Sequence, residues 1–456
     1  MSGDDDLAKR LLQKADRILK EVDEAYIIKQ RGHHQRAMPT FRPEELSLGK
    51  TLGTGGFGIV SEISKFTLDE DEPSEELPVD TAGEEHPITL ENPQQPNNNI
   101  QRTVSLEDGI PGTFVEVVDR PEELTMNDHV HYDVKKAREF MANRCVRNGK
   151  ARYAIKRLHK ALTPVEKARG MIDLAIEAKY LSTVWHPNII KLRGVAKGNM
   201  VDPDFFIIID RLYMTLDVQI KEWAANFKSK KGSLFGIGKD KDGLKGLLID
   251  RLTVAYDLAA AFFYLHENRV VYRDIKPENI GFDARGDCKL FDFGLCKSLS
   301  PNLKAANGGY GYKLTGRAGS LPYMAPEVVR METYDTKCDV FSFAILFWEI
   351  MSLKESFQWM NPTSFVEHVV VEKTRPKIAK SWPPLTRLLL PEAWDDDPRK
   401  RPDMKRVAVM IRADLNDVSS SEDVLHRTDH MLNRSRHSAR EMFESSDVGG
   451  TSYRRK

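Results

Sequence analysis

Cysteine is scarce in this chain: four in 456 residues, at positions 145, 288, 296 and 338, none in CxxC spacing. That argues against a disulfide framework or a cysteine-based zinc site and fits a reducing compartment, cytoplasmic or nuclear. Long apolar runs are missing as well. The most apolar stretch, VFSFAILFWEIM (340–351), is too short to span a bilayer and reads as a buried helix, so no membrane insertion is expected. Net charge is absent too, since 68 Lys plus Arg balance 68 Asp plus Glu. No wholesale attraction to nucleic acid follows from such a balance. The opening MSGDDDLAKRLLQK lacks an apolar signal core. What is present, 41% hydrophobic and 30% charged residues, describes a soluble globular protein. Its length leaves room for two or three cores, at roughly 100–200 residues per domain.

Residues 7–26 set Leu7, Leu11, Ala15, Ile18, Leu19, Val22 and Tyr26 at helical spacing. Such a helix lies on the domain that follows, or docks a partner. From Leu46 to Ile63 the pattern is strand, glycine turn, strand. Then Lys and Arg vanish between Lys65 and Arg102, where DEDEPSEELPVDTAGEE is acidic and NPQQPNNN is of low complexity. Too little apolar surface is available there to order the segment. The block 134–160 is heavily basic, and the acidic segment could fold back onto it. TPVE (163–166) starts a helix running to about Thr183, with Thr163 as cap and Glu166 returning to it. IKLRGVA and FFIIID read as strands. The basic, glycine-containing 228–243 reads as a loop, and a mainly helical stretch is expected from Leu247 to Leu415.

GTGGFGIV (53–60) carries Gly53, Gly55 and Gly58 at phosphate-loop spacing. Dinucleotide-binding folds share that spacing, but there the glycines open a helix. Here IVSEI follows, alternating like a strand, so a hairpin loop is expected whose backbone N–H groups cover phosphates. YAIK places Lys156 on an apolar strand, a compact positive charge for two phosphates. Glu177, on the capped helix, is the anion that would fix it.

YRDIKPEN (272–279) gathers three chemistries. Asp274 can accept a proton from an attacking hydroxyl, Lys276 can neutralise a moving phosphoryl group, and Asn279 offers an oxygen to a hard cation. Asp292 of DFG supplies a second oxygen, and magnesium favours such donors shared with phosphates. MAPE (324–327) closes the segment. Any of these alone would read as a surface charge or a tight turn; their order along the chain argues otherwise.

In that order the motifs resemble those of eukaryotic protein kinases, over roughly Leu46 to Leu415. The resemblance implies an α+β, bilobal protein kinase fold: an antiparallel-sheet small lobe with one key helix, a mainly helical large lobe, and ATP with magnesium in the cleft. It divides the chain into an N-terminal extension (1–45), a kinase domain (46–416) and a mobile tail (417–456). The small lobe would be 46–212, with a disordered insertion at about 67–140, and the large lobe 213–416. It implies that Gly53, Gly55 and Gly58 cover the phosphates and that Val60 and Ala154 lie above the adenine. Ile209, Asp210 and Leu212 would form the hinge. Lys156 pairs with Glu177, Asp274 orients the substrate hydroxyl, and Asn279 and Asp292 hold magnesium. Glu327 would pair with Arg401, Asp339 would anchor the catalytic loop, and Leu181, Leu192, Tyr272 and Phe293 would link the lobes as an apolar stack.

Lys276 two residues after Asp274 is typical of serine/threonine kinases, and Ser320 can bond both. Protein substrates follow from that resemblance. Arg273 beside Asp274 implies a phosphate on the following segment, with Thr315 the first candidate and Tyr310 and Tyr312 next. Arg102 and Ser105 also resemble a basophilic kinase target. HPNIIKLRGVA and GSLPYMAPE look closest to the tyrosine-kinase-like branch. Four departures stand out, one of them the 98-residue spacing from Gly58 to Lys156 and the others at single residues. Tyr272 replaces the usual histidine, Ala344 a common glycine, and Gly281 a larger residue under the adenine, so a loosely packed floor is expected. The alternative, a pseudokinase-like scaffold, would need damage to Lys156, Asp274, Asn279 or Asp292, and all four are intact.

Overall fold

In the computed structural model, residues 3–23, 25, 38–68, 134–232, 240–306 and 309–419 are described. Tyr26, the acidic segment with Arg102 and Ser105, and the tail from 420 lie outside them. The first lobe is built on β1 (Thr40–Phe41), β2 (Leu46–Thr54), β3 (Gly58–Phe66), the small hairpin β4 (Val146–Arg147) and β5 (Lys150–Ala151), β6 (Tyr153–Leu158), β7 (Leu192–Ala196) and β8 (Phe206–Asp210). Six of these form one sheet in the order β1-β7-β8-β6-β3-β2, antiparallel except for β1 beside β7. The central β8 reads FIIID because both of its faces are covered.

Among the described residues, three α-helices belong to this lobe: α1 (Gly3–Asp23), α2 (Val134–Asn143) and α3 (Pro164–Thr183). The start of α3 is the reciprocal cap expected from TPVE. Glu166 N–H donates to Thr163 Oγ1 at 3.4 Å, and Thr163 N–H donates to Glu166 Oε2 at 3.0 Å. Helix α1 turns Ala8, Ala15, Leu19 and Val22 inward at the spacing of one helical face and packs on α3.

Three expected boundaries move. Helix α2 begins at Val134, inside the stretch assigned to the insertion up to about 140. It is anchored by the Arg138–Glu45 ion pair, by Arg138 over the Phe41 ring at 5.1 Å, and by buried Met141. In the second lobe, α4 (Leu216–Lys231) extends through Lys228, Lys230 and Lys231, where a loop was expected. Helix α5 (Lys241–Glu267) starts ahead of Leu247, with Asp240 Oδ1 accepting from Gly243 N–H at 2.8 Å.

The rest of this lobe adds α6 (Lys337–Ser352), α7 (Pro384–Ala393) and α8 (Met404–Val418). Five short strands border the cleft: β9 (Met214–Thr215), β10 (Val270–Val271), β11 (Ile280–Phe282), β12 (Cys288–Leu290) and β13 (Lys297–Ser298). Helix α6 is buried over most of its surface and encloses Phe341, Phe343, Ile345 and Phe347, each worth about 1.5–3 kcal/mol on burial. A sheet-rich lobe followed by a helical one is thus the architecture, α+β and bilobal. Among the described residues no helix is long and apolar enough to cross a membrane. The four cysteines are free and buried.

Candidate active site

The hairpin between β2 and β3 brings the three glycines over the cleft. Gly55 N–H donates to Gly58 C=O at 2.8 Å and closes the turn, and the chain continues as a strand. A Cβ added at Gly53 or Gly56 would meet nothing within 4 Å, so the backbone there faces open space. At Gly58 an added Cβ would lie 3.3 Å from Arg157 C=O and 3.8 Å from Lys156 Cε, which places the turn against the lysine.

Strand register then sets the lysine. Val60 pairs with Lys156 across β3 and β6, and Ala154 pairs with Ile209 across β6 and β8. The Lys156 ammonium donates to Glu177 Oε2 at 2.6 Å and to Asp292 Oδ1 at 3.0 Å. Burial works against its charge, but Glu177 and Asp292 outweigh that and hold it above the usual lysine range. Asp292 answers in kind: burial raises it, yet the Lys156 ammonium keeps it below the usual carboxylate range. For Glu177 burial wins over Lys156 and the net direction is upward.

The YRDIKPEN loop forms a closed polar network. Asp274 Oδ1 accepts from Ser320 Oγ at 2.8 Å, and Oδ2 accepts from Asn279 Nδ2 and meets Lys276 Nζ, both at 2.8 Å. Lys276 Nζ also donates to Ser320 Oγ at 3.0 Å. The backbone is fixed from below by Asp339, whose carboxylate accepts from Tyr272 N–H at 2.8 Å and Arg273 N–H at 2.9 Å. Arg273 has φ +71° and Asp292 φ +66°, conformations that cost a side-chain-bearing residue about 1–3 kcal/mol. Gly319, at φ +100°, must be glycine, because a Cβ would stand 2.1 Å from Arg273 C=O.

The antiparallel pair β11 and β12 brings the two oxygen donors together. Ile280 pairs with Leu290, and Phe291 N–H donates to Asn279 C=O at 3.0 Å, so Asn279 and Asp292 leave the same end of one hairpin. Asn279 uses its amide nitrogen on Asp274, which leaves the amide oxygen as its acceptor. One amide and one carboxylate oxygen suit magnesium, a hard cation that takes its other ligands from water and phosphate.

Below the cleft, Arg401 grips Glu327 through two bonds, at 2.7 and 2.8 Å. Leu181, Leu192, Tyr272 and Phe293 are all buried, with the Tyr272 and Phe293 rings 5.4 Å apart. Arg273 donates to Leu295 C=O at 2.6 Å and to Tyr334 OH at 3.3 Å, and Tyr334 OH donates to Thr315 C=O at 2.6 Å. Exposed Thr315 is thereby linked to Arg273 through one tyrosine. Tyr310 OH donates to Asp335 at 2.7 Å, and the Tyr312 backbone pairs with Tyr334.

At the expected adenine end, Asp210 is held by Arg193 at 2.7 and 3.0 Å, and its N–H donates to Lys191 C=O at 3.3 Å, so side chain and N–H are both engaged. The expectation of a hollow under the adenine fails. A Cβ on Gly281 would lie 2.6 Å from Leu212 Cδ1 and 3.2 Å from Met214 C=O. Leu212 fills that space, and the glycine admits it.

Two contributors were missed. Gly170 on α3 lets the glycine loop in: its Cβ would meet Phe57 Cβ at 2.9 Å. A lone glycine inside a helix was the available signal. Asp173 lies one turn before Glu177 and touches Gly294, whose added Cβ would sit 3.2 Å from its own Cβ. Burial, reinforced by Asp292, pushes its carboxyl up to about 6.

The family described as the protein kinase domain matches residues 141–433. The glycine hairpin precedes that stretch, and its β3–β6 pairing joins it to the matched part. The chain is 34% identical over 182 residues to the dual specificity protein kinase shkB of Dictyostelium discoideum, covering 39% of this chain and 27% of that protein. It is 31% identical over 179 residues to the serine/threonine-protein kinase STY17 of Arabidopsis thaliana, covering 39% and 30%. With the serine/threonine/tyrosine-protein kinase HT1 of Arabidopsis thaliana it shares 27% over 251 residues, covering 55% and 57%. The chain thus spans under a third of the first two relatives and somewhat over half of the third.

Proposed function

The chain belongs to the protein kinase domain family, and on that premise we propose that it transfers the γ-phosphoryl group of MgATP to serine and threonine hydroxyls of protein substrates. The observation that carries the reading is the Lys156 ammonium, set between Glu177 at 2.6 Å and Asp292 at 3.0 Å beneath an open glycine hairpin. Phosphoryl transfer asks little covalent chemistry of a protein; positioning and charge supply the acceleration. Gly53, Gly55 and Gly58 cover the phosphates with backbone N–H groups, and Lys156 steadies them. Val60, Ala154, Ile209, Asp210 and Leu212 frame the base. Asn279 and Asp292 hold the magnesium, which when bound neutralises phosphate charge. Asp274 orients the substrate hydroxyl and accepts its proton. Lys276, fixed by Ser320, faces the group in flight.

The Lys276–Ser320–Asp274 triangle supports serine/threonine choice, as does the similarity to STY17, a serine/threonine-protein kinase. Arg273, Tyr334 and Thr315 form the route by which a phosphate on Thr315 would act on the catalytic loop, a role in signalling. Four buried thiols fit a cytoplasmic or nuclear setting. The scaffold alternative has no support at the site, where all four residues it would need to lose are present.

The test incubates the full chain with labelled ATP, magnesium and a peptide library, beside Lys156→Met and Asp274→Asn. Label on serine and threonine that both variants lose supports the reading. Unchanged transfer by either variant, or label mainly on tyrosine, overturns it.

A further inference from the structure

We propose that α1 is a built-in clamp that positions Glu177 for catalysis, with Glu21 and Asp23 as its positioning residues. This rests on the phosphoryl-transfer reading above. Helix α3 has two working faces. Glu177 and Lys179 are two residues apart, about 200° around a helix, so one points to the cleft as the other points away. Glu177 reaches Lys156. Lys179 forms an ion pair with Asp23 at the end of α1.

Further along, Ala168 and Met171 of α3 are buried together with Ala8, and Leu11 and Leu12 pack against them. The second grip is on the other side of the cleft. Glu21 meets Lys297 at 2.9 Å. Lys297 lies on β13 directly opposite Val271 of β10, just before the catalytic loop, and follows Asp292 by five residues.

One helix therefore holds both the element that carries Glu177 and the strand that leaves Asp292. Those are the two carboxylates that grip Lys156. With α1 in place, the outer face of α3 is covered and its inward position is favoured. With α1 detached, α3 presents Ala168 and Met171 to water, and Glu177 is held inward by the Lys156 pair and the packing of α3 on the sheet without the outer cover. Packed interfaces of this kind switch between discrete arrangements.

The test uses the full chain and two variant sets. The first, Leu19→Asp with Val22→Asp, drives charge into the buried face of α1. Amide exchange in 172–180 and 297–299 is expected to quicken by about tenfold or more. The kcat is expected to fall about tenfold with KM for peptide within about twofold, and a synthetic 3–25 peptide should restore it. The second set is Glu21→Lys, Lys297→Glu and the two combined. Each single change lowers kcat about threefold and the pair recovers it, as an ion pair of modest strength would.

Unchanged α3 exchange and kcat in the first set, or no recovery in the second, overturns the clamp. If the first variant does not fold, by near-ultraviolet circular dichroism, the charge exchange decides. If the wild-type chain transfers no phosphate, the functional reading fails by itself, and the exchange measurement still decides whether α1 holds α3.

Discussion

Two ion pairs of similar chemistry sit in the two lobes with opposite degrees of freedom. Arg401 and Glu327, in the helical lobe, are 0% and 2% exposed, and Arg401 also donates to Asp395 and Lys337 carbonyls. It further lies over the Phe341 ring. Such a pair is satisfied on all sides and has nothing left to offer. Lys156 and Glu177, in the sheet lobe, are 20% and 3% exposed, and the lysine shares itself with Asp292 from the other lobe. Its acceptors come from separate elements, and it borders open space. The difference teaches that the surroundings, and not the charges, decide whether an ion pair is architecture or equipment.

That contrast can be broken by exchanging the consequences. Lys156→Met should lower phosphoryl transfer by a factor on the order of 10³ while shifting the thermal midpoint little, read from initial rates and calorimetry. A large midpoint loss with residual turnover would make the cleft pair structural after all. Arg401→Ala should do the reverse, costing about 3–5 kcal/mol of stability by urea unfolding because Glu327 is left buried and unpaired. At low temperature its folded fraction should turn over near the wild-type rate.

Smaller effects sharpen the same division. Gly281→Leu, meant to fill a floor that Leu212 already fills, should cost about 1–3 kcal/mol by overpacking and weaken ATP binding in titration calorimetry. Thr163→Ala should cost about 1 kcal/mol by removing the α3 cap, again by urea unfolding. Asp173 supplies the pH axis. Its folded carboxyl is raised to about 6 from the ordinary 3.8, so the folded state binds the proton more tightly than the unfolded chain. Its contribution favours folding at low pH and is lost as pH rises through that window. Asp173→Asn should therefore raise the midpoint at pH 8 more than at pH 5.

How much of this was legible depended on distance along the chain. The glycine hairpin and the Thr163–Glu166 box were readable because each is local, a turn and one helical turn. The roles at Asp274, Asn279 and Asp292 could be assigned from motif order, and the resemblance also implied that Ser320 bonds Asp274 and that Asp339 anchors the loop. Nothing in the motifs says that Lys156 touches Asp292. Gly281 was misjudged for the same reason: the side chain filling its space belongs to Leu212, on a separate segment. Helix α2 was hidden because VKKAREFMAN carries four charges in ten residues and its anchors, Glu45 and Phe41, lie far upstream.

The sealed thiols carry a practical corollary. Cys145 sits in the sheet lobe, with its Sγ 3.2 Å from Ile63 C=O, whereas Cys288, Cys296 and Cys338 are enclosed in the other lobe. An alkylating reagent can reach each sulfur only while its own surroundings gape. The four modification rates under mild denaturant would thus time the breathing of the two halves independently, on one unmutated molecule.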